Sequence, residues 1–466
     1  MISVQRAVAA ALGAGLLVTG AISAAGPAAA QDAPPPAPQG GATATLGELR
    51  TYDKAVVRAA DGTTKEVGAG LFEMAVDHGG SIQTYCVDFG TPAQPQTKYQ
   101  EVPWSSSSLQ NNPRAGKIRW ILEHSYPQVN DLDALAAKAG AGKLSERTAA
   151  AGTQVAIWRL SDKATARAKD RAAEKLADYL TARARNAGGE PKASLSLSPA
   201  TVAGRTGERV GPVTVRTNAG GVNLAPAPAG AASGVRVVDA DGRQVTSAAD
   251  GTKLWFDVPE GTEDGASALT AQASTKVPVG RVFTGVGAGA RSQTQILAGS
   301  STATVSATAT ATWSAGGPAA AVTARKNCAE GGVDVTAVNR GDADFTFRVA
   351  GKRHTVAPGA AETVTVPVGE DQAYRIAVTG TGGFERTFSG VLDCATAEPP
   401  DGGITTQTGP ATTGGAPVGA ESGDLAETGS SNATPVIAGV AIGLVVVGGA
   451  IVLLLRRRGG AGGDEG

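Results

Sequence analysis

Two short stretches hold the residues whose types suggest chemistry: TYCVDF at Thr84–Phe89 and AGTQVAIWRL at Ala151–Leu160. The first contains the thiol of Cys86, and the second contains the carboxamide of Gln154. A thiolate held against an activated carboxamide displaces ammonia and forms a thioester. The alternatives are an ordinary buried thiol and a core glutamine with hydrogen-bonded amide atoms, since an unpaired buried amide costs free energy.

The elements that must position these two residues follow from the hydrophobic pattern. Side chains alternate along a strand, so Cys86 is expected on the face opposite Tyr85. On a 3.6-residue helical period, Gln154 shares an apolar face with Ile157 and Trp158. The prediction is therefore a strand that carries the thiol and a helix that carries the carboxamide.

Together, YCVD and TQVAIW resemble the Cys–Gln thioester domain of Gram-positive surface adhesins, which has a TQxA motif. The resemblance covers about residues 44–189 and implies an internal thioester between Cys86 and Gln154. The residues expected around this bond are Tyr85, Asp88, Thr153, Ile157 and Trp158. Ile157 and Trp158 are the predicted shield against water, because they share the helix face of Gln154.

Length and pattern predict several domains. The 466 residues suggest about three, and a net charge of −1 gives no reason to expect nucleic acid as a partner. The fold class is multidomain: an α+β thioester domain over 44–190, then two immunoglobulin-like β-sandwich domains over 191–318 and 319–396. Within the first domain, a long helix is expected from Asp162 to about Asn186.

The three cysteines leave one outside any internal disulfide. Cys328 and Cys394 lie near the two ends of the segment 319–396, so we expect them to pair. Closing so long a loop contributes about 4 kcal/mol on a chain-entropy model. Cys86 is then the remaining cysteine, and a thioester would protect its thiol outside the cell. We expect no metal site and no cofactor.

The N-terminus predicts export. Residues 1–30 have a positive start, an apolar middle and a small-residue cleavage pattern, as is typical of a secretory signal peptide. A flexible linker follows over 31–43. Residues 397–424 form a low-complexity linker that we expect to cross a cell wall.

The C-terminal segment 425–466 resembles a sortase sorting signal. It combines LAETG, an apolar transmembrane segment over 435–455 and three arginines. The motif resembles the LAxTG variant of actinobacterial class E sortase substrates, and its residues are Leu425, Ala426, Glu427, Thr428 and Gly429. This implies a class E-type sortase and peptidoglycan as partners, with the protein anchored on the extracellular face of the wall. A simple membrane anchor is the alternative.

Three functions stay open at this point. The resemblance implies an adhesin that is not an enzyme, whose thioester reacts once with a nucleophile, foremost a Lys amine, on an unidentified surface protein or glycan. A cysteine hydrolase would instead use Cys86 as nucleophile and His124 or His78 as base. A non-covalent binding module or passive stalk of the wall would give Cys86 a structural role.

Overall fold

The computed structural model describes residues 40–58, 64–110, 112–162, 165–287 and 290–394. The predicted signal peptide, most of the predicted linker over 31–43, the predicted wall linker and the predicted sorting signal with its transmembrane segment 435–455 lie outside these residues. Among the helices that the structure describes, none combines the length and the apolar character needed to cross a membrane.

The N-terminal part has a long hairpin, two short strands and a group of helices. Its elements are β1 (Thr43–Arg58), β2 (Thr64–Val76), β3 (Ser81–Cys86), β4 (Lys98–Val102), α1 (Ala115–His124), α2 (Leu132–Ala139), α3 (Glu146–Ser161), β5 (Thr165–Ala168) and α4 (Arg171–Arg183). A 3₁₀ turn at Trp104–Ser106 lies between β4 and α1.

Side-chain caps define the helix starts. Ser145 and Thr148 form a capping box at α3, so the helix that carries Gln154 begins at Glu146. The expected long helix from Asp162 is wrong, because α3 ends at Ser161 and β5 follows. The cap of α4 is Asp170, whose carboxylate accepts hydrogen bonds from two main-chain N–H groups.

The central part is almost entirely strands. Its elements are β6 (Leu195–Ser198), β7 (Thr201–Arg205), β8 (Arg209–Thr217), β9 (Val222–Pro226), α5 (Pro228–Ala232), β10 (Arg236–Val238), β11 (Ser247–Ala248), β12 (Lys253–Asp257), β13 (Gly265–Lys276), β14 (Val282–Gly285), β15 (Gln295–Ser300) and β16 (Thr302–Ser314). Two of its sheets have the orders β10-β12-β8-β6 and β11-β9-β13-β16-β7, and they share one hydrophobic core.

The sheet that contains Cys86 is not confined to the N-terminal part. It has seven strands in the order β2-β3-β15-β14-β4-β1-β5, and β1 also pairs with β2. The expected boundary near residue 190 is therefore corrected, because the strands β14 and β15 belong to this sheet and not to the two central sheets. Alternating polar and apolar residues predict that a segment is a strand, but they do not determine which sheet that strand joins or which strands lie beside it.

A buried ion pair joins the two parts beside this sheet. The Arg281 guanidinium donates to Glu101 Oε1 at 2.7 Å and to the Val102 carbonyl at 3.1 Å. Arg281 also pairs with Glu190. Buried charges of this kind are stabilising only when they are paired, so the pair holds the start of β14 against β4.

The C-terminal part (residues 318–394) contains β17 (Ala320–Asn327), β18 (Gly332–Asn339), β19 (Phe345–Val349), β20 (Lys352–Val356), β21 (Ala361–Pro367), β22 (Ala373–Gly380), a 3₁₀ turn (Thr381–Gly383) and β23 (Phe384–Val391). Its sheets, β17-β18-β21 and β20-β19-β22-β23, share a core. A disulfide joins Cys328 and Cys394. The immunoglobulin-like arrangement of the central and C-terminal parts stays a prediction.

Candidate functional site: a thiol and a carboxamide on paired strands

Gln154 lies in the middle of α3 and is fully buried. Its Oε1 accepts a hydrogen bond from the Cys86 main-chain N–H at 3.0 Å, and its Nε2 donates to the Cys86 carbonyl at 2.9 Å. β2 pairs with β3 only as far as Thr84, so the Gln154 carboxamide takes the place of the next strand residue. Both of its polar atoms are thus used to hold the backbone at Cys86.

The Cys86 thiol contacts a different glutamine. β3 and β15 run antiparallel with Cys86 opposite Gln295. Gln295 Nε2 lies 3.2 Å from Cys86 Sγ, and the Thr84 hydroxyl donates to Gln295 Oε1 at 2.9 Å. Cys86 and Gln295 are both 0% exposed. The structure therefore brings a thiol, a carboxamide and a hydrogen-bond donor to that carboxamide's oxygen together in a buried site.

The prediction of a thioester between Cys86 and Gln154 does not match this geometry, because the structure places Gln295, and not Gln154, at the sulfur. Tyr85 packs in the core that contains α3, whereas Cys86 packs in the core on the other side of the sheet. Gln154 approaches the main chain of Cys86, and Gln295 approaches its sulfur. A sequence signal for Gln295 exists, because it is a glutamine in the apolar strand TQIL and its buried amide needs a partner.

Tyr85 and Thr153 lie on the helix side of the sheet and not beside the thiol. The Tyr85 hydroxyl donates to the Tyr126 carbonyl at 2.8 Å, and burial raises the pKa of this phenol. The Thr153 hydroxyl donates to the Ala149 carbonyl at 2.8 Å. These two residues support the packing of α3 on β3.

Ile157 and Trp158 also belong to the core on the helix side, where Trp158 packs edge-on against Phe89 with ring centroids 5.4 Å apart. The prediction that they shield the thiol is therefore wrong. The core that contains Cys86 includes large side chains that exclude water from this side of the sheet: Tyr99, Phe283 and Leu297.

Asp88 does lie at the strand that carries Gln295. It is 1% exposed, and its carboxylate accepts from the Thr294 main-chain N–H at 2.9 Å and from the Ser108 hydroxyl at 2.6 Å. Burial, and to a smaller extent the nearby charge of Asp162, raise the pKa of Asp88 to about 7. This carboxyl group therefore titrates near neutral pH.

The two histidines proposed as bases for a hydrolase have other environments. The His124 ring stacks on Trp120 with centroids 4.1 Å apart, and its Nδ1 lies 2.9 Å from the Trp120 carbonyl. His78 is exposed in the turn between β2 and β3. These positions give no support to a Cys–His pair at Cys86.

Two segments match known protein families. Residues 83–186 match the family described as thioester domain. Residues 318–391 match the family described as bacterial phospholipase C, C-terminal domain. A search of curated proteins gave no match.

Several solved structures are similar to this chain. The Bacillus anthracis TIE protein has 14% identity and a TM-score of 0.27, and the similarity covers 76% of this chain and 81% of that one. The thioester domain of the Enterococcus faecium TIE86 protein has 16% identity, coverage of 59% and 96%, and a TM-score of 0.28. The E. coli chaperone DraB has 14% identity, coverage of 43% and 98%, and a TM-score of 0.16.

With TM-scores this low, the assignment rests on the family match. The chain contains a thioester domain, and the resemblance carried by YCVD and TQVAIW is confirmed over residues 83–186. The matched segment includes Cys86 and Gln154 but ends before Gln295, which reaches the site on β15.

Proposed function

We propose that this protein is a surface adhesin that binds its target through a covalent bond, using an internal thioester between Cys86 and Gln295. The observation that supports this most directly is the 3.2 Å contact between Cys86 Sγ and Gln295 Nε2 inside a chain with a thioester-domain match. The Thr84 hydroxyl donates to the oxygen of the same carboxamide, so the group beside the thiol is also polarised for attack at its carbonyl carbon.

The bond-forming step uses only these groups. The Cys86 sulfur attacks the Gln295 carbonyl carbon, the C–N bond breaks, and the thiol proton leaves with the nitrogen as ammonia. The Thr84 hydroxyl bonds to the oxygen on which negative charge develops during the attack. Gln154 fixes the main chain on either side of the sulfur and thereby limits the positions that the thiol can take.

The product is an acyl donor stored away from water. An incoming Lys amine attacks the Gln295 carbonyl, the C–S bond breaks, and the target is left in an amide bond while Cys86 regains its proton. A hydroxyl group on a glycan would give an ester in the same way. The protein reacts once and does not turn over, so it is not an enzyme in this proposal.

Intact-mass measurement tests the proposal. The mass of the folded protein is expected to be one ammonia below its sequence mass. Methylamine should add once to the protein, raise its mass by one methylamine and free one thiol. Peptide mapping should place the methylamide at Gln295 and not at Gln154. Cys86→Ala and Gln295→Ala should show full sequence mass without methylamine uptake. A wild-type protein with full mass and a titratable Cys86 directly after folding would leave the non-covalent binding module or stalk as the better function.

We also propose that the chain is exported and joined to the cell wall. The signal-peptide pattern at 1–30 and the LAETG segment with its apolar and arginine-rich continuation support this localisation. In this proposal a class E-type sortase and peptidoglycan are the partners of the C-terminus, and the target surface is the partner of the thioester.

A further inference from the structure

The C-terminal part of the chain lies directly against the strand that carries Gln295. The Thr294 hydroxyl donates to Asp393 Oδ2 at 3.3 Å. β17 packs against the 3₁₀ turn at Trp104–Ser106, which precedes Ser108. Thr294, the residue next to Gln295, is thus hydrogen-bonded to Asp393, which follows β23 in the C-terminal part.

Asp393 and Asp88 meet on either side of Thr294. Asp88 accepts from the Thr294 main-chain N–H, and Asp393 accepts from the Thr294 side chain. The Ser108 hydroxyl lies 2.6 Å from Asp88 Oδ1 and 3.4 Å from Thr294 Oγ1. A continuous hydrogen-bonded network therefore runs from the thioester strand to the C-terminal part.

The charges that face this pair come from several elements. Asp162, which follows α3, faces Asp88. The Tyr99 phenol on β4 is close enough to Cys86 and Asp88 for their charges to raise its pKa. On the other side, Lys326 of β17 and the loop residues Glu370 and Asp371 face Asp393. Carboxylate oxygens of Glu370, Asp371 and Asp393 lie within 4.8 Å of one another. Arg291 offsets part of this charge at Asp371.

A thioester between two fully buried side chains needs an opening before a target amine enters. We propose, resting on the thioester function above, that Asp393 is a positioning residue that closes the C-terminal part over the Thr294–Gln295 strand, and that the ionisation of Asp88 and Asp393 together loosens this closure. Reaction with the target is then controlled by the part of the chain that lies nearest the predicted wall linker.

The direction of the pH effect follows from the burial of both carboxyl groups. Burial raises the pKa of Asp393 well above its ordinary value, and it raises that of Asp88 to about 7. The closed state therefore holds more protons than the open state. Its stability is greatest at low pH and is lost as the pH rises through about 7, where two like charges come to share a buried site.

The experiment follows methylamine uptake by the purified full chain with intact-mass spectrometry, from about pH 5 to about pH 9. EDTA is present so that no divalent cation neutralises the carboxylates. Each rate constant is divided by the concentration of free amine, which removes the titration of methylamine itself. We expect the normalised rate constant of the wild type to rise about tenfold across this range, which corresponds to one pKa unit of differential binding.

Two variants separate the proposal from a merely structural contact. Asp393→Asn keeps an acceptor for Thr294 but carries no charge, so its normalised rate constant should stay at the low value at every pH. Asp371→Lys replaces an anion that faces Asp393 by a cation, so less repulsion develops in the closed state and the rise of the normalised rate constant with pH should be smaller than in the wild type. Glu385→Gln, at an exposed position on β23 of the C-terminal part, is the matched control and should follow the wild type.

Hydrogen exchange in the Cys86→Ala background reads the same closure without a thioester. Above about pH 7, Asp393→Asn and Asp371→Lys should each protect the amides of residues 104–110 and 291–297 better than the parent does. At about pH 5 all three proteins should exchange equally. Absence of the thioester from the wild-type mass would contradict the proposed function, and the exchange data would still decide on closure. Equal exchange and equal pH profiles for the wild type and Asp393→Asn would overturn the inference.

Discussion

Gln154 and Gln295 are both buried beside Cys86, and their hydrogen bonds give them different roles. The Gln154 carboxamide bonds to the N–H and the C=O of one residue, so any reaction at its carbonyl would break a matched pair of hydrogen bonds. The Gln295 carboxamide has its nitrogen at the sulfur and its oxygen at a hydroxyl donor. One glutamine is therefore suited to positioning and the other to acyl transfer.

Replacing Gln154 by Ala should separate these roles. The Cys86 N–H and C=O would lose their partners in a buried site, at a cost of about 1–3 kcal/mol for each unsatisfied group. We expect a clear loss of stability in urea unfolding, while the folded fraction still shows the mass of a thioester.

The exposed Gln272 on β13 provides the control, because Gln272→Ala should leave both stability and mass unchanged. Full sequence mass in a folded Gln154→Ala protein, together with a methylamide mapped to Gln154 in the wild type, would return the thioester to Gln154.

Thr84→Val removes the hydroxyl that bonds to Gln295 Oε1 and keeps the shape of the side chain. Loss of a preorganised donor to a developing oxyanion typically slows acyl transfer about a hundredfold. We expect ammonia loss after refolding to slow by that order, as followed by mass against time. Thr270→Val on β13 is the matched substitution away from the site, and an equal rate in both variants would exclude a role for the hydroxyl.

At the scale of elements, the strand with Cys86 and the helix with Gln154 were predictable because each is encoded locally. β3 alternates, α3 has the apolar period and a capped start, and Cys86 and Gln154 do meet. The pairing of Cys86 with Gln295 was not predictable in this way, because 209 residues separate them and strand register depends on partners from distant sequence. For the same reason the shield was placed on the wrong side of β3.

The shared sheet predicts how fragments of the chain behave. A fragment that ends at residue 190 lacks β14 and β15, so β3 and β4 each lose a paired neighbour and Gln295 is absent. We expect such a fragment to show full sequence mass and no cooperative unfolding. A fragment over residues 40–316 keeps the seven strands and should lose ammonia. Ammonia loss in the shorter fragment would contradict the assignment of Gln295.

At the scale of the molecule, a reactive group that acts once must be delivered intact and then held at a surface. The thiol and the carboxamide meet only when the N-terminal part and the two strands from beyond residue 280 fold together, so in our proposal the thioester forms as a product of folding. A covalent bond to a target is useful to a cell only if the other end of the chain is also fixed. The C-terminal sequence pattern supplies that second attachment in our proposal.

The sorting segment gives the last prediction, since wall attachment and membrane insertion differ in what releases the protein. If a sortase cleaves between Thr428 and Gly429, the wall-bound form should be released by peptidoglycan digestion and should lack Arg458. Thr428→Ala removes the residue that becomes joined to the wall, so this variant should stay in the detergent-soluble membrane fraction with Arg458 present. Thr405→Ala, in the predicted wall linker, is the matched control and should fractionate with the wild type. Detergent extraction of an uncut wild-type chain would favour the simple membrane anchor, and the thioester would then act from the membrane surface.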